Sequence, residues 1–140
     1  MSTREAKATE VWEQYFENVP AILYMDDEIV AFPDRDPKAS THVLVVPRRR
    51  HIIGVEGLKP SDLPLLDAMG RVGKQLTNCL PSNMGFHQRP FRSVDHLHLH
   101  CIVPPFRSPM TKVFFINLLR RDSNLGYTTL SHVKKRLEKI

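Results

Sequence analysis

The stretch "HLHLHCIVP" (96–104) decides the fold, because histidine and leucine alternate in it without a break. Successive side chains of a β-strand point to opposite faces, so this alternation predicts a strand, here over residues 94–103. His96, His98 and His100 then share one face of the strand, each about 6.6 Å from the next, while the leucines pack on the other face. A helix would scatter the three imidazoles around its axis. The sequence therefore predicts a strand that presents three histidines to one small ligand.

Length and composition bound the class of protein. A chain of 140 residues, 41% hydrophobic and 25% charged, suits one globular domain, which we place at 1–140. No apolar run approaches the roughly 18 residues of a membrane span, and the N-terminal stretch "MSTREAKATEVWEQYF" has no apolar signal core. Cys79 and Cys101 are the only cysteines, which predicts a reducing compartment, the cytoplasm or alternatively the nucleus.

The chain is basic, with a formal net charge of +5 and an isoelectric point near 9.5. The charge lies mainly in "PRRRH" (47–51), "LLRRD" (118–122) and "VKKRLEK" (133–139). One interpretation is an ordinary solvated surface, and the other is attraction of a phosphorylated ligand by a basic field. Nucleic acid is a less favoured partner, because no basic stripe with interleaved aromatic residues is present.

Hydrophobic periodicity along the rest of the chain predicts an α+β fold. The predicted elements are an amphipathic N-terminal helix (3–19), a hairpin of two short strands (21–25 and 29–32), a loop (32–40), a strand (41–47), a helix (59–80), a strand start near Met84–His87, a turn around Pro90 and a basic C-terminal helix (130–140). The prolines of "PPFRSP" (104–109) are expected to end the histidine strand. Together these elements predict an antiparallel sheet of about five strands with flanking helices.

Three interpretations of the alternating histidines follow from chemistry alone. They could be merely packed or solvated, although three buried imidazoles leave three sets of polar atoms to satisfy. They could hold Zn²⁺, with a third ligand from His100, His42 or His87, but no Cys-x-x-Cys or His-Glu-x-x-His motif accompanies them. They could also catalyse a reaction at phosphorus, since neutral imidazole is a nucleophile that forms covalent intermediates.

Residues 96–102 match the His-φ-His-φ-His-φ-φ signature position for position, and the chain resembles the histidine triad superfamily there. The stretch "DDEIVAFPDRDPKASTHVLVVPRRRHI" (26–52) resembles the hairpin, nucleotide-binding loop and following strand of that family. The stretch "GFHQRPFRSVDHLHLH" (85–100) is similar to the third type of histidine triad nucleotide-binding protein. The resemblance covers roughly residues 20–105, with the N-terminal helix (3–19) before it and a C-terminal extension (106–140) after it.

The resemblance implies catalytic roles for five residues. His98, the middle histidine, would attack the α-phosphate and become nucleotidylated, while His96 and His100 would orient it and contact the phosphate. His42 matches the upstream family histidine that joins this cluster. Ser93 lies three residues before His96, where the phosphoramidase branch has a serine near the leaving group.

Four further residues are implied in nucleotide binding. Phe32 matches the apolar wall of the base pocket, and Asp34 matches the acidic residue that hydrogen-bonds the ribose hydroxyls. Arg35, beside the ribose site, departs from the family pattern and leaves the base preference open. His87 falls near the place of a phosphate-contacting asparagine in other members, with a shorter loop here.

The implied function is hydrolysis of an adenosine 5′-phosphoramidate, or a related purine nucleotide conjugate, through a nucleotidyl-histidine intermediate. The resemblance implies no cofactor and no metal for the chemistry, no membrane partner, and a homodimer with two sheets joined edge to edge. His100, where the uridylyltransferase branch has glutamine, favours hydrolysis over transfer. Two alternatives stay open: an aprataxin-like deadenylase of nucleic-acid ends, and a non-catalytic nucleotide-binding regulatory protein.

Overall fold

A six-stranded antiparallel sheet forms the frame of the protein. The computed structural model describes residues 10–88, 92–109 and 126–140. The strands are β1 (Tyr24–Met25), β2 (Ile29–Pro33), β3 (Ala39–Pro47), β4 (Met84–His87), β5 (Leu99–Phe106) and β6 (Tyr127–Thr129), in the spatial order β1-β2-β3-β5-β4-β6. The α+β class and the antiparallel sheet are confirmed. The sixth strand was not predicted, because a three-residue strand carries too little alternation to read.

The predicted hairpin is present at β1 and β2, with Tyr24 opposite Ala31. Asp26 builds its turn, since its Oδ1 accepts the backbone N–H groups of Glu28 and Ile29, both at 2.8 Å. Such a local side-chain bond replaces the strand ladder where the chain reverses. After this turn, β2 is a buried strand that pairs with β3.

The histidine strand begins later and ends later than predicted. β5 starts at Leu99, opposite Val45 of β3, instead of at 94. The backbone N–H of Leu97 donates to the oxygen of Ile52 at 2.7 Å and not to β3. It continues to Phe106, so the expected end at the prolines of 104–109 is wrong. Three residues of β5 span two of β3 between Thr41 and Ala39, and this bulge accommodates prolines that have no N–H to donate.

The alternation of faces nevertheless extends beyond the strand. Leu97, Leu99 and Cys101 lie in the same buried core cluster, although Leu97 precedes the strand. His96, His98 and His100 are buried as well and lie outside that cluster. The predicted face of three imidazoles is therefore present, with only its last member inside regular β-structure.

Two helices cover the core face of the sheet. Helix α1 (Leu63–Thr77) follows a 3₁₀ turn (Pro60–Asp62) and buries Leu66 and Met69 against the sheet, which confirms the helix predicted at 59–80. Helix α2 (Leu130–Glu138) confirms the C-terminal helix, and Thr129 caps it by accepting the His132 N–H at 3.2 Å. None of the helices in the described ranges is long and apolar enough to span a membrane.

The N-terminal segment covers the opposite face of the sheet, and the described part of the helix predicted at 3–19, residues 10–19, is not a helix. Residues 3–9 of that prediction, like the turn around Pro90, lie outside the described residues. From residue 10 onward only a 3₁₀ turn (Val11–Gln14) forms, and Asn18 adopts a φ of 55° that no helix allows. Trp12, Phe16 and Val19 pack against apolar side chains of β2 and β3. The spacing of the apolar residues correctly indicated which side chains are buried, but tertiary packing determined the backbone conformation.

Candidate active site

A cavity of about 530 Å³ lies on the histidine face of the sheet, beneath the N-terminal segment. Its wall contains eight of the nine predicted site residues: Phe32, Asp34, Arg35, His42, His87, Ser93, His98 and His100. His96, the ninth, lies behind the wall and is fully buried. The fold thus gathers residues from β2, β3, β4, β5 and the segments between them around one cavity.

His98 is held with one defined nitrogen available for chemistry. Its Nδ1–H donates to the backbone oxygen of His96 at 2.7 Å. Because a carbonyl oxygen can only accept, Nδ1 carries the ring proton and the lone pair of a neutral His98 lies on Nε2. Burial lowers the pKa of His98, so the ring stays neutral near pH 7. A neutral imidazole with a fixed tautomer is a competent nucleophile.

His42 and His100 form a second polarised pair. The backbone N–H of Lys38 donates to His42 Nδ1 at 3.1 Å, so the proton of that ring lies on Nε2. His42 Nε2–H in turn donates to His100 Nδ1 at 2.8 Å, which places the proton of a neutral His100 on its Nε2. Burial lowers the pKa of His42 to about 4 and that of His100 well below its usual value. His100 is therefore a neutral donor 5.0 Å, between ring centroids, from His98.

His96 is engaged by protein groups at both ring nitrogens. Its Nε2–H donates to the backbone oxygen of Pro47 at 2.9 Å, so its Nδ1 accepts from His51 Nδ1–H at 2.9 Å. The Tyr15 ring stacks on both imidazoles, with centroids 4.8 Å from His51 and 5.2 Å from His96. Burial lowers the pKa of His96. These contacts fix the backbone oxygen that His98 uses.

One end of the cavity is aromatic. Phe16 lies edge-on to Phe32 at 5.4 Å and to His98 at 5.6 Å, between ring centroids, and Trp12 packs behind Phe32 at 5.5 Å. This end provides apolar surface on which a planar ring can pack. Sequence reasoning missed Tyr15, Phe16 and His51 as site residues. Tyr15 and Phe16 were assigned to the apolar face of the predicted N-terminal helix, and no motif in the sequence distinguished His51 from a surface histidine.

The other end of the cavity is charged. Asp34 lies beside His42, with 3.5 Å between Oδ2 and Nε2. Asp36 accepts from Lys38 at 2.7 Å and from Arg107 at 2.8 Å, and the Lys38 ammonium lowers the pKa of Asp36 to about 2. Arg35 lines the same rim. Arg35, Lys38 and Arg107 bring cationic groups to this wall, where they can contact an anionic ligand.

His87 and Ser93 complete the wall from β4 and from the segment before β5. The His87 ring lies 4.6 Å from the ring of His100, and Tyr127 of β6 packs behind it at 5.6 Å. Ser93 is exposed at the cavity wall. Both residues therefore line the same cavity as His98 and His100, and the roles that the resemblance implies for them stay predictions.

One group of side chains within the described ranges could hold a metal ion. The ligand atoms of Asp34, His42 and His100 all lie within 4.8 Å of one another. Zinc–nitrogen bonds are about 2.0–2.1 Å long, so an ion would have to displace the direct hydrogen bond between the two imidazoles. The geometry fits the hydrogen-bonded pair at least as well as a metal centre.

Comparison with known proteins agrees with this fold. The family model described as "Scavenger mRNA decapping enzyme C-term binding" matches residues 13–114. The structure of a HIT family hydrolase from Legionella pneumophila superposes with a TM-score of 0.56 at 25% identity, covering 65% of this chain and 88% of that one. The chain belongs to this family and, through it, to the histidine triad superfamily.

Curated relatives include HINT-type proteins and aprataxin. The bifunctional adenosine 5′-phosphosulfate phosphorylase/adenylylsulfatase HINT4 of Arabidopsis thaliana is 43% identical over 91 residues, which is 61% of this chain and 62% of that protein. The adenosine 5′-monophosphoramidase HINT3 of Mus musculus is 31% identical over 120 residues, covering 81% of this chain and 70% of that protein. Aprataxin of Danio rerio is 35% identical over 96 residues, covering 64% of this chain and 29% of that protein. The chain thus spans less than two thirds of the length of the plant relative.

Proposed function

We propose that this protein is a nucleotide hydrolase that cleaves adenosine 5′-phosphoramidates, or related nucleotide conjugates, at the α-phosphate. The observation that carries the proposal is the hydrogen bond from His98 Nδ1–H to the His96 backbone oxygen, which leaves Nε2 as the nucleophile. The names of the HINT-type relatives, a monophosphoramidase and an adenylylsulfatase, support a substrate of this class.

The cavity suits a nucleoside monophosphate. Its volume of about 530 Å³ lies within the range of small-molecule sites. The aromatic end formed by Phe16 and Phe32 would hold the base, and the Asp34 carboxylate would accept from the ribose hydroxyls. The α-phosphate would then lie over His98, with the Nε2–H of His100 as a donor to its oxygens.

The proposed reaction has two displacements at phosphorus. His98 Nε2 attacks the α-phosphate, the bond to the leaving nitrogen breaks, and that nitrogen departs as an amine with a proton from solvent, which the Ser93 hydroxyl can relay. A water molecule then attacks the nucleotidyl-histidine, gives up a proton to solvent, and releases the nucleoside monophosphate with His98 restored. Neutral His98 is needed for the first step, and burial of the ring keeps it neutral.

Replacement of His98 tests the covalent step. His98→Ala should abolish turnover and the mass increase of a trapped nucleotidyl-enzyme. Nucleotide affinity should stay within about tenfold, or about 1.4 kcal/mol, because the base and ribose contacts remain. His132→Ala, a substitution on α2 away from the cavity wall, is the matched histidine control. Appreciable turnover by His98→Ala would refute the assignment.

A second candidate function is removal of adenylate from nucleic-acid ends. The similarity to fish aprataxin and the basic rim formed by Arg35, Lys38 and Arg107 favour it. Adenylated DNA and a fluorogenic adenosine phosphoramidate, assayed side by side, would separate the two activities. A protein that binds nucleotide and turns over neither substrate would instead be the non-catalytic regulator.

A further inference from the structure

Segments 51–56 and 92–97 run antiparallel beside the cavity without forming a strand ladder, and a 3₁₀ turn (Val55–Gly57) begins within the first of them. Three contacts tie them together along their length. The rings of His51 and His96 hydrogen-bond at 2.9 Å, and the backbone N–H of Leu97 donates to the oxygen of Ile52 at 2.7 Å. At the other end of the two segments, the Arg92 guanidinium hydrogen-bonds the carboxylate of Glu56. Ser93 and His96 both lie on the segment that these contacts hold.

The Arg92 guanidinium is buried between two carboxylates. Its side chain is only 4% exposed, its Nη1 donates to both carboxylate oxygens of Glu56 at 2.7 and 2.8 Å, and its Nε donates to Asp95 at 3.0 Å. The hydrogen bonds to Glu56 raise the pKa of Arg92. Such bidentate geometry is the strong form of an ion pair, and it fixes direction as well as distance.

Gly54 provides the floor on which this guanidinium lies. A methyl group at Gly54 would overlap Arg92 Nη1 and approach Glu56 Oε1 to 2.7 Å. The backbone at Gly54 is extended, with a φ of 168°, so its conformation does not demand glycine. The absence of a side chain is therefore explained by the space that the guanidinium occupies.

We propose that Arg92 is a positioning residue that fixes the backbone presenting Ser93 to the cavity, an inference that rests on the proposed function. Ser93 follows Arg92 directly and stands at the cavity wall on a segment with no strand ladder of its own. A side chain on such a segment is only as well placed as the contacts that anchor it. A displacement of about 1 Å of a catalytic group can lower a rate by about 10²-fold.

The effect is expected in the chemical step and not in binding. Arg92→Ala should slow single-turnover nucleotidylation by about 10- to 100-fold, with the affinity for AMP changed by less than about twofold, because base and ribose contacts lie elsewhere in the cavity. Millimolar guanidinium should restore part of the lost rate, since it can occupy the vacated socket between Glu56 and Asp95. Because a cation bound in the folded state also raises stability, the rescue is measured as a single-turnover rate well below the melting temperature of the variant, where the protein is folded with or without the cation.

Gly54→Ala supplies a second, independent variant that retains every charge. It should reproduce the rate loss by expelling the guanidinium, whereas adding Gly54→Ala to Arg92→Ala should cost nothing further, because the space is then empty. The control is Arg50→Ala, which removes the ion pair between Arg50 and Asp62 and leaves segment 92–97 untouched. Circular dichroism melting curves of each variant verify folding.

Three results would overturn the inference: unchanged nucleotidylation by Arg92→Ala, additive losses in the double variant, or equal losses in Arg50→Ala. In each case turnover by the unmodified protein would leave the proposed function standing. Absence of turnover by the unmodified protein on every nucleotide substrate would overturn the proposed function together with this inference.

Discussion

Acidification should unfold this protein through the histidines that line and support its cavity. Burial lowers the pKa values of His42, His96, His98 and His100 in the folded state. In the unfolded chain each of these rings returns to a pKa near 6.5. Between the two values the unfolded state binds more protons, so the free energy of unfolding falls as the pH falls.

The contribution of His42 can be given a magnitude. Its folded-state pKa of about 4, against 6.5 for an ordinary histidine, corresponds to about 3 kcal/mol of unfolding free energy. That contribution is fully present above pH 6.5 and is lost as the pH falls to about 4, with about 2 kcal/mol lost between about pH 7 and pH 5. The other three rings act in the same direction, so the total loss should exceed this figure.

Carboxylates with lowered pKa values also destabilise the fold in acid, but in a lower pH window. These groups are Glu10, Asp26, Asp36 and Asp62. Their unfolded-state pKa values are about 4, so most of their effect falls below about pH 4.5. A change in unfolding free energy between pH 6.5 and pH 5 is therefore due mainly to the histidines.

Urea denaturation across that interval measures the effect. His42→Gln should give a shallower dependence of unfolding free energy on pH, and His132→Gln, at a half-buried position on α2, is the control for replacing a histidine outside the cavity wall. An unfolding free energy that stays flat from pH 7 to pH 5, or a full slope in His42→Gln, would contradict a lowered pKa of the buried histidines.

Two further predictions concern the reaction. Ser93→Ala should slow hydrolysis of phosphoramidates far more than hydrolysis of a nucleotide ester with a good leaving group, because only a departing amine needs a proton. General-acid help of this kind contributes about 10²–10⁴ in rate. Equal single-turnover losses on both substrates would show that Ser93 only positions the phosphate. Treatment with a chelator should leave activity and melting temperature unchanged, because His42 and His100 already satisfy each other at 2.8 Å; tightly bound stoichiometric zinc in the purified protein would contradict this.

The histidine face was predictable from sequence because alternation fixes which way side chains point. That rule held even at His96 and His98, before the ladder begins, where Leu97 lies in the core cluster and the two imidazoles lie outside it. The hairpin and helix α1 were also predictable, because the apolar residues in their local sequence patterns are the ones that the structure buries.

Other parts of the site depend on contacts between distant residues. The stacking of Tyr15 on His51 and His96, and the contact of the Arg92 guanidinium with Gly54, join segments that are far apart in the sequence. No local spacing encodes such contacts. The N-terminal helix failed as a prediction in a related way, because the aromatic side chains at Trp12 and Phe16 pack on the sheet from an irregular backbone. A period of three and four residues marks burial and does not by itself specify the helix.

Strand β6 has a consequence for how copies of this chain can associate. It pairs with β4 at three positions, Gly85 with Thr129, Phe86 with Thr128 and His87 with Tyr127. The predicted homodimer stays a prediction, and any version that joins β4 of two copies must first displace this strand. A tethered strand competes at an effective concentration in the millimolar range, so a second copy at lower concentration loses the exchange. Strand β6 thus competes with a second copy of the chain for pairing with β4. Removal of residues 126–140 would leave the β4 edge open to pairing with a strand of another copy.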